Sequence, residues 1–111
     1  MSALYAMNFV GAQGFGIGAV YVGKGQVVGI DSGNARYHGS YTEGGGRLKG
    51  SISLTAGGPG VRLVTGQILP VGQSVQLTID WPTNFATGQP QNVSVAGQPV
   101  QVTLEKIGDV P

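Results

Sequence analysis

The only histidine in this sequence, His38, is its strongest candidate for acid–base catalysis. An imidazole can act as a general base, and Ser40 shares its face if residues 36–42 form a regular strand. No cysteine is present, and no acidic residue of that predicted strand could orient the ring as a third catalytic member. We therefore interpret His38 as a surface or partly buried polar residue, with a hydrolase or other enzyme centred on it as the alternative.

The five acidic residues do not form a pattern typical of paired-carboxylate catalysis or of metal binding. A metal site would require His38 together with carboxylates that are distant in the sequence. Asp31 and Asp80 lie at the ends of predicted strands, where a carboxylate commonly accepts hydrogen bonds from turn amides. We predict structural roles for both. We also predict no catalytic, cofactor-binding or metal-binding residue, and no enzymatic activity.

The glycine-rich run Gly14-Phe15-Gly16-Ile17-Gly18 invites comparison with a phosphate-binding loop. A dinucleotide-binding fingerprint requires a strand before the glycines and a helix after them. Here a predicted strand follows the run, so no helix N-terminus is available to hold a phosphate. We interpret the run as a turn.

Charged residues make up only 10% of the chain, with six Lys or Arg, five Asp or Glu and a net charge of +1. The basic residues are scattered, and only Arg47 and Lys49 are near neighbours. Nucleic-acid binding draws most of its affinity from clustered cations that neutralise phosphates. We therefore predict no direct contact with nucleic acid.

The sequence also favours a cytoplasmic protein without membrane association. No segment approaches the roughly 20 apolar residues of a membrane-spanning helix. Residues 1–10 lack the basic residues and the long apolar run of a secretory signal. The lack of cysteine excludes disulfide bonds.

Twenty-one glycines and a series of short apolar runs predict strands joined by tight turns. Clusters of Gly, Pro, Asn or Asp separate these runs. The predicted strands are residues 3–9, 16–22, 26–31, 36–42, 47–54, 74–81, 92–96 and 100–105. Residues 61–69 are a less clear strand, because Gly66 and two flanking prolines disfavour it. The only place for a short helical turn is near residues 83–87.

About eight strands in sequential hairpins predict a single all-β domain over residues 1–111. Closing an antiparallel meander removes its exposed edges, so we predict an up-and-down antiparallel β-barrel, with an open sandwich as the alternative. Such a barrel has an interior just wide enough for side chains or one small ligand. The predicted core consists of Tyr5, Met7, Phe9, Leu48, Ile52, Val75, Leu77, Ile79, Trp81, Val100, Val102 and Leu104.

Residues 29–41, GIDSGNARYHGSY, resemble a segment of the GrlR-like family, whose founding member is a negative regulator of type III secretion. In that family a strand that ends in a Gly–Asp pair is followed by a short turn, an aromatic residue, and then Gly and Tyr on the next strand. The matching positions are Gly29, Asp31, Ser32, Gly33, Tyr37, Gly39 and Tyr41, with Ile30 where a second Gly is usual. The likeness extends to residues 4–9, 48–52 and 97–107.

The resemblance implies a lipocalin-like eight-stranded barrel that forms a homodimer and captures a transcriptional activator without touching DNA. This chain lacks the exposed run of alternating acidic residues that the founding member uses for partner contact. The motif residues are expected to be structural. We therefore expect a non-enzymatic regulatory protein that binds a protein partner such as a transcriptional activator. The alternative is a carrier or sensor of a small apolar ligand inside the barrel.

Overall fold

Eight antiparallel strands form the main body of the computed structural model, which describes residues 2–111. The strands are β1 (Ser2–Gly11), β2 (Gly14–Gly23), β3 (Gln26–Asp31), β4 (Ala35–Gly44), β5 (Arg47–Ala56), β6 (Val61–Arg62), β7 (Ile68–Leu69), β8 (Ser74–Pro82), β9 (Gln91–Val95) and β10 (Gln98–Asp109). All except β6 and β7 belong to a closed barrel in the order β1-β10-β9-β8-β5-β4-β3-β2. The predicted up-and-down barrel is confirmed, and the open sandwich is wrong.

The glycine-rich run that we interpreted as a turn lies inside a strand. β2 begins at Gly14, and the turn before it consists of Ala12 and Gln13. Gly16 pairs with Phe9 of β1, whose ring occupies the space that a side chain at position 16 would need. Gly16 therefore lets β2 pass close to this ring, and the turn interpretation is wrong.

Ten of the twelve predicted core residues are buried, whereas Phe9 and Val75 are half-buried and pack against the core. Successive side chains of a strand point to opposite faces, so one alternate set from each barrel strand points into the interior. The interior also contains residues from the glycine-rich and short strands that were not predicted. Among these are Val20, Val22, Val27, Val93 and Val95.

Residues 57–73, here called the cap segment, lie across the end of the barrel where the β1–β2 and β3–β4 turns are. The backbone N–H of Gln13 donates to the carbonyl of Val64 at 2.7 Å. The side-chain amide of Asn34 donates to the carbonyl of Gly58 at 3.0 Å. These bonds attach the cap segment to both turns. Its buried side chains are Val61, Leu63 and Leu69.

Neither of the two segments that were unclear from the sequence forms one continuous strand or helix. Residues 61–69 hold β6, a turn and β7 instead of one strand, and β6 pairs only with β7. Residues 83–87 contain a turn at Thr83 and Asn84 and no helix, and Phe85 enters the barrel end, where it is only 1% exposed. Within residues 2–111 no helix is long and apolar enough to cross a membrane.

Gly39 in β4 shows why some strand positions of this barrel exclude a side chain. A Cβ atom there would lie closer than 3.0 Å to the carbonyl oxygen of Ser51 and to the Cα of Ile52, both in β5. Real Cβ atoms essentially never approach backbone atoms this closely. Glycine therefore permits the tight coiling of β4 against β5 that a small closed barrel requires.

Replacing Gly39 by alanine should lower the free energy of unfolding by about 1–3 kcal/mol, because the strands must separate to admit the methyl group. Gly44→Ala is the matched control on the same strand, since an added Cβ there meets no atom within 4 Å. We expect this control to change stability by no more than about 0.5 kcal/mol. Urea unfolding monitored by Trp81 fluorescence measures both variants, and equal stabilities would contradict the close approach.

Candidate functional site

A mainly apolar cavity of about 190 Å³ lies inside the barrel. All eight barrel strands contribute inward side chains to its wall. Examples are Met7, Val20, Val27, Ile52, Leu77 and Val102. An eight-stranded barrel whose inward residues are largely aliphatic retains room for one small molecule, so this cavity is the principal candidate site.

One end of the cavity is closed by aromatic rings. Phe85 enters from the loop of residues 83–90 and packs against Tyr5 and Trp81, with ring centroids 5.2 Å and 5.4 Å away. The indole N–H of Trp81 donates to the carbonyl of Asn92 at 2.8 Å, which orients the ring. Phe85 and Trp81 both line the cavity and form its floor.

The opposite end, here called the mouth, is formed by β2, the β3–β4 turn and the cap segment. The residues that line it are Asp31, Ser32, Gly33, Arg62 and Thr65, and Phe15 reaches its rim from the outer face of β2. Phe15 is 84% exposed, and Ser32, Gly33 and Arg62 are also exposed. The polar groups of the cavity therefore lie at its solvent-facing end, whereas the floor is aromatic.

The carboxylate of Asp31 organises the β3–β4 turn. Its Oδ1 accepts hydrogen bonds from the backbone N–H groups of Gly33 at 2.9 Å and Ala35 at 3.0 Å. The chain reverses through Asn34, which has a φ of 66° and donates its backbone N–H to the carbonyl of Asp31. The prediction that Asp31 accepts turn amides is confirmed.

Tyr37 adds a third hydrogen bond to the same carboxylate. Its hydroxyl donates to Oδ2 of Asp31 across the turn. Burial raises the pKa of Tyr37 far above its ordinary value, and the hydrogen bond to Asp31 and its negative charge add to the effect. The Tyr37 hydroxyl therefore stays protonated and donating over the whole physiological pH range.

Thr65, in the turn between β6 and β7, supplies an unusual polar atom at the mouth. Its Oγ1 is buried, and within residues 2–111 no hydrogen-bond partner is found for it. Buried polar atoms of native proteins are nearly always paired. Since Thr65 also lines the cavity, this hydroxyl is a candidate contact for a bound molecule.

The structure brings four of the seven motif residues together at the cavity, namely Asp31, Ser32, Gly33 and Tyr37. The other three are Gly29, Gly39 and Tyr41. The two glycines lie where β3 and β4 approach their neighbouring strands too closely for a side chain. Tyr41 is buried toward the floor, where its backbone N–H donates to the carbonyl of Gly25 at 3.0 Å. The motif therefore does not form one site.

His38 and Ser40 are exposed side by side on the outer face of β4, away from the cavity. β4 extends further than predicted and includes Glu43, but an odd spacing of five residues puts this acid on the opposite face from His38. Within the part of the chain that the structure describes, no group of three or more potential metal ligands occurs. The surface interpretation of His38 is confirmed.

Asp80 has the structural role that we predicted, but its partner and its position in the strand differ from the prediction. Asp80 accepts a hydrogen bond from the guanidinium group of Arg47 on β5, with Nε and Oδ1 3.0 Å apart, and does not accept turn amides. The reason is that β8 continues to Pro82, so Asp80 lies within the strand and faces a neighbouring strand. This ion pair is exposed and contributes little to stability.

Sequence analysis did not identify Phe85, Arg62 or Thr65 as site residues. Phe85 follows no strand periodicity, and the one available signal was a large apolar side chain in an otherwise polar loop. Arg62 and Thr65 reach the mouth only because the cap segment folds back across the barrel end. No local sequence pattern indicates that placement.

Replacing Tyr37 by phenylalanine should change the alkaline stability of the protein. Above about pH 10 an unfolded tyrosine ionises while native Tyr37 stays protonated, so the free energy of unfolding falls by up to about 1.4 kcal/mol per pH unit. Tyr37→Phe removes this contribution and should give a shallower decline, although it lowers stability at neutral pH by about 1.5–3 kcal/mol. Urea unfolding at several pH values measures the slopes, and parallel slopes would contradict the burial of this hydroxyl.

No protein-family model matches this chain, and no curated protein matches it either. The roles of Asp31 and Tyr37 therefore rest on their contacts alone. The resemblance of residues 29–41 to the GrlR-like family stays a prediction. What the geometry provides is an apolar cavity with an aromatic floor and a polar mouth.

Proposed function

We propose that this protein binds one small, largely apolar molecule inside its barrel. The observation that carries the proposal is the cavity of about 190 Å³ between the aromatic floor and the mouth. A barrel whose interior was filled by Trp81 and the tyrosines would have no such space. Instead Trp81 lies in the floor, and Tyr5 and Tyr41 do not line the cavity.

The volume of the cavity limits the size of the ligand. An apolar cavity of about 150 Å³ in another protein is known to bind benzene. The present cavity is somewhat larger, so its volume is sufficient for a single ring with a substituent of two or three atoms. Removal of that apolar surface from water supplies the affinity, at about 25 cal/mol per Å².

We propose a carrier or sensor and not an enzyme. Among the residues that line the cavity, only Asp31, Tyr37 and Arg62 carry titratable side chains. The carboxylate of Asp31 and the hydroxyl of Tyr37 are already bonded to each other and to the turn. This arrangement favours structural support of the mouth over proton transfer to a substrate.

A substitution that fills the cavity should abolish binding of small aromatic probes. Val93 on β9 points inward and lines the cavity, so Val93→Phe adds a ring to its interior. Ser94→Phe is the matched control, because its neighbour Ser94 is exposed on the outer face of the same strand. Isothermal titration calorimetry with ethylbenzene and with 2-phenylethanol should detect binding of at least one probe to the wild type and to Ser94→Phe, with a Kd at or below about 1 mM.

Thermal unfolding confirms that both variants are folded before titration. Loss of binding in Val93→Phe alone would support occupancy of the cavity. Equal loss in both variants, or no binding of either probe to the wild type, would contradict the proposal.

A second proposal concerns the outer face of β1, β2 and β3, on which we expect a second copy of this chain to dock. The exposed apolar side chains of this face are Leu4, Val10, Phe15, Ile17, Val28 and Ile30. Strand register places them next to one another, for example Val10 opposite Phe15. Such a contiguous apolar surface is typical of an interaction site.

Charge favours a copy of the same chain as the occupant. A twofold axis packs a face against itself, so any charge on it would be buried at a cost unless an opposite charge on the same face paired with it. None of the outward residues of β1, β2 and β3 is charged. By contrast, the outer faces of β5 and β8 carry polar side chains that bond to one another, as Gln76 does to Ser53 at 2.9 Å.

Ile17→Asp should convert a dimer into a monomer, because each copy would then bury an unpaired carboxylate in the apolar interface. Ser51→Asp introduces the same charge on the polar outer face of β5 and should leave the dimer intact. Sedimentation velocity at several protein concentrations measures both, together with the wild type. A monomeric wild type, or equal sensitivity to both substitutions, would contradict this interface.

The resemblance to the GrlR-like family supports a regulatory role for such a dimer. We propose that it acts in the cytoplasm as a negative regulator, by binding a protein such as a transcriptional activator and without touching DNA. The scattered basic residues of the chain agree with a regulator that does not contact nucleic acid itself.

A further inference from the structure

We infer that the ligand of the barrel is an uncharged alcohol, with an apolar body toward the floor and a hydroxyl group at the mouth. This inference rests on the proposed binding function and adds the chemical class of the ligand. Two polar groups that line the cavity carry it, the hydroxyl of Thr65 and the carboxylate of Asp31. Each has hydrogen-bonding capacity that the described residues leave unused.

The Thr65 hydroxyl has both a donor and acceptor sites to offer. Its oxygen is buried and finds no partner within residues 2–111. The hydrogen bond between Gln13 and Val64 holds the backbone next to it against the barrel end. A ligand hydroxyl can either donate a hydrogen bond to the Thr65 hydroxyl or accept one from it, whereas a hydrocarbon would leave the Thr65 hydroxyl without a partner.

Asp31 offers one more acceptor site. A carboxylate has about four lone-pair sites, and those of Asp31 receive three hydrogen bonds, from Gly33, Ala35 and Tyr37. One site on the carboxylate is therefore free to accept the proton of a ligand hydroxyl. Because the other three hydrogen bonds already fix the carboxylate in place, a fourth costs little conformational entropy.

The charges at the mouth disfavour an ionised ligand. A ligand carboxylate would be repelled by the negative charge of Asp31. Arg62 is the one cation among the lining residues, but it is exposed, so water and salt screen its attraction. A ligand ammonium group would be attracted to Asp31, but it can only donate hydrogen bonds, and one free acceptor site on Asp31 together with the Thr65 oxygen would not replace the water that it gives up.

Four compounds on one skeleton test this assignment by isothermal titration calorimetry with the intact protein at neutral pH. They are ethylbenzene, 2-phenylethanol, phenylacetate and 2-phenylethylammonium. We expect 2-phenylethanol to bind at least about tenfold more tightly than either ion. We also expect 2-phenylethanol to bind no more weakly than ethylbenzene does. Its hydroxyl group loses hydrogen bonds to water on binding, but those to Thr65 and Asp31 replace them.

Thr65→Val replaces the hydroxyl by a methyl group of similar size. This variant should bind 2-phenylethanol about five- to tenfold more weakly and ethylbenzene no more weakly than the wild type does. Thr78→Val makes the same replacement on the exposed outer face of β8 and should change neither affinity. The wild-type series decides the ligand class even if Thr65→Val fails to fold.

The outcomes separate this inference from the function on which it rests. If ethylbenzene binds more tightly than the alcohol and Thr65→Val changes nothing, the alcohol assignment is overturned while the barrel remains a binding site. If phenylacetate or the ammonium compound binds most tightly, a charged ligand replaces the alcohol. If no compound binds the wild type, both the inference and the proposed function are overturned.

Discussion

The pairing of β1 with β10 is the constraint on which the remaining structure depends. It joins the first barrel strand to the last, with Met7 opposite Leu104 and Phe9 opposite Val102. Closure leaves no unpaired barrel edge, and it directs one alternate set of side chains from every barrel strand into a single interior. The size of those side chains then decides how much space remains. Because many are valines, a cavity of about 190 Å³ persists between the aromatic floor and the mouth.

The fold was predictable where one face of a strand is polar. In β8 the apolar residues alternate with Ser, Gln, Thr and Asp, so the sequence indicates both the strand and its inward face. The cap segment offers no such alternation. Its two short strands pair only with each other, and its buried residues are held by contacts with turns that are distant in the sequence. Long-range packing, which local patterns do not encode, decides its conformation.

The candidate site was predictable only in part, because some of its contacts join residues that are distant in the sequence. The turn that follows Asp31 indicates a carboxylate that accepts turn amides, and the contacts agree. The bond from Tyr37 to the same carboxylate depends on the reversal of the chain through Asn34, which a motif match alone does not reveal. Asp80 was less predictable, because we placed the end of its strand one residue too early. We therefore expected Asp80 to accept turn amides, whereas it forms an ion pair with Arg47 on the neighbouring strand. Thr65 and Phe85 required the complete fold.

β2 shows how the cavity and the outer apolar face arise from the same register. Its inward positions near the mouth are glycines, whereas Phe15 and Ile17 point outward. A slip by one residue would turn these large side chains inward, and the hydrophobic pattern alone favours that slip. The ring of Phe9 over Gly16 opposes it, and so does the two-residue turn at Lys24 and Gly25, where both φ angles are positive as in hairpin turns. Burial of Phe15 and Ile17 would also fill the interior. The register that keeps the cavity open is therefore the one that leaves an apolar surface outside.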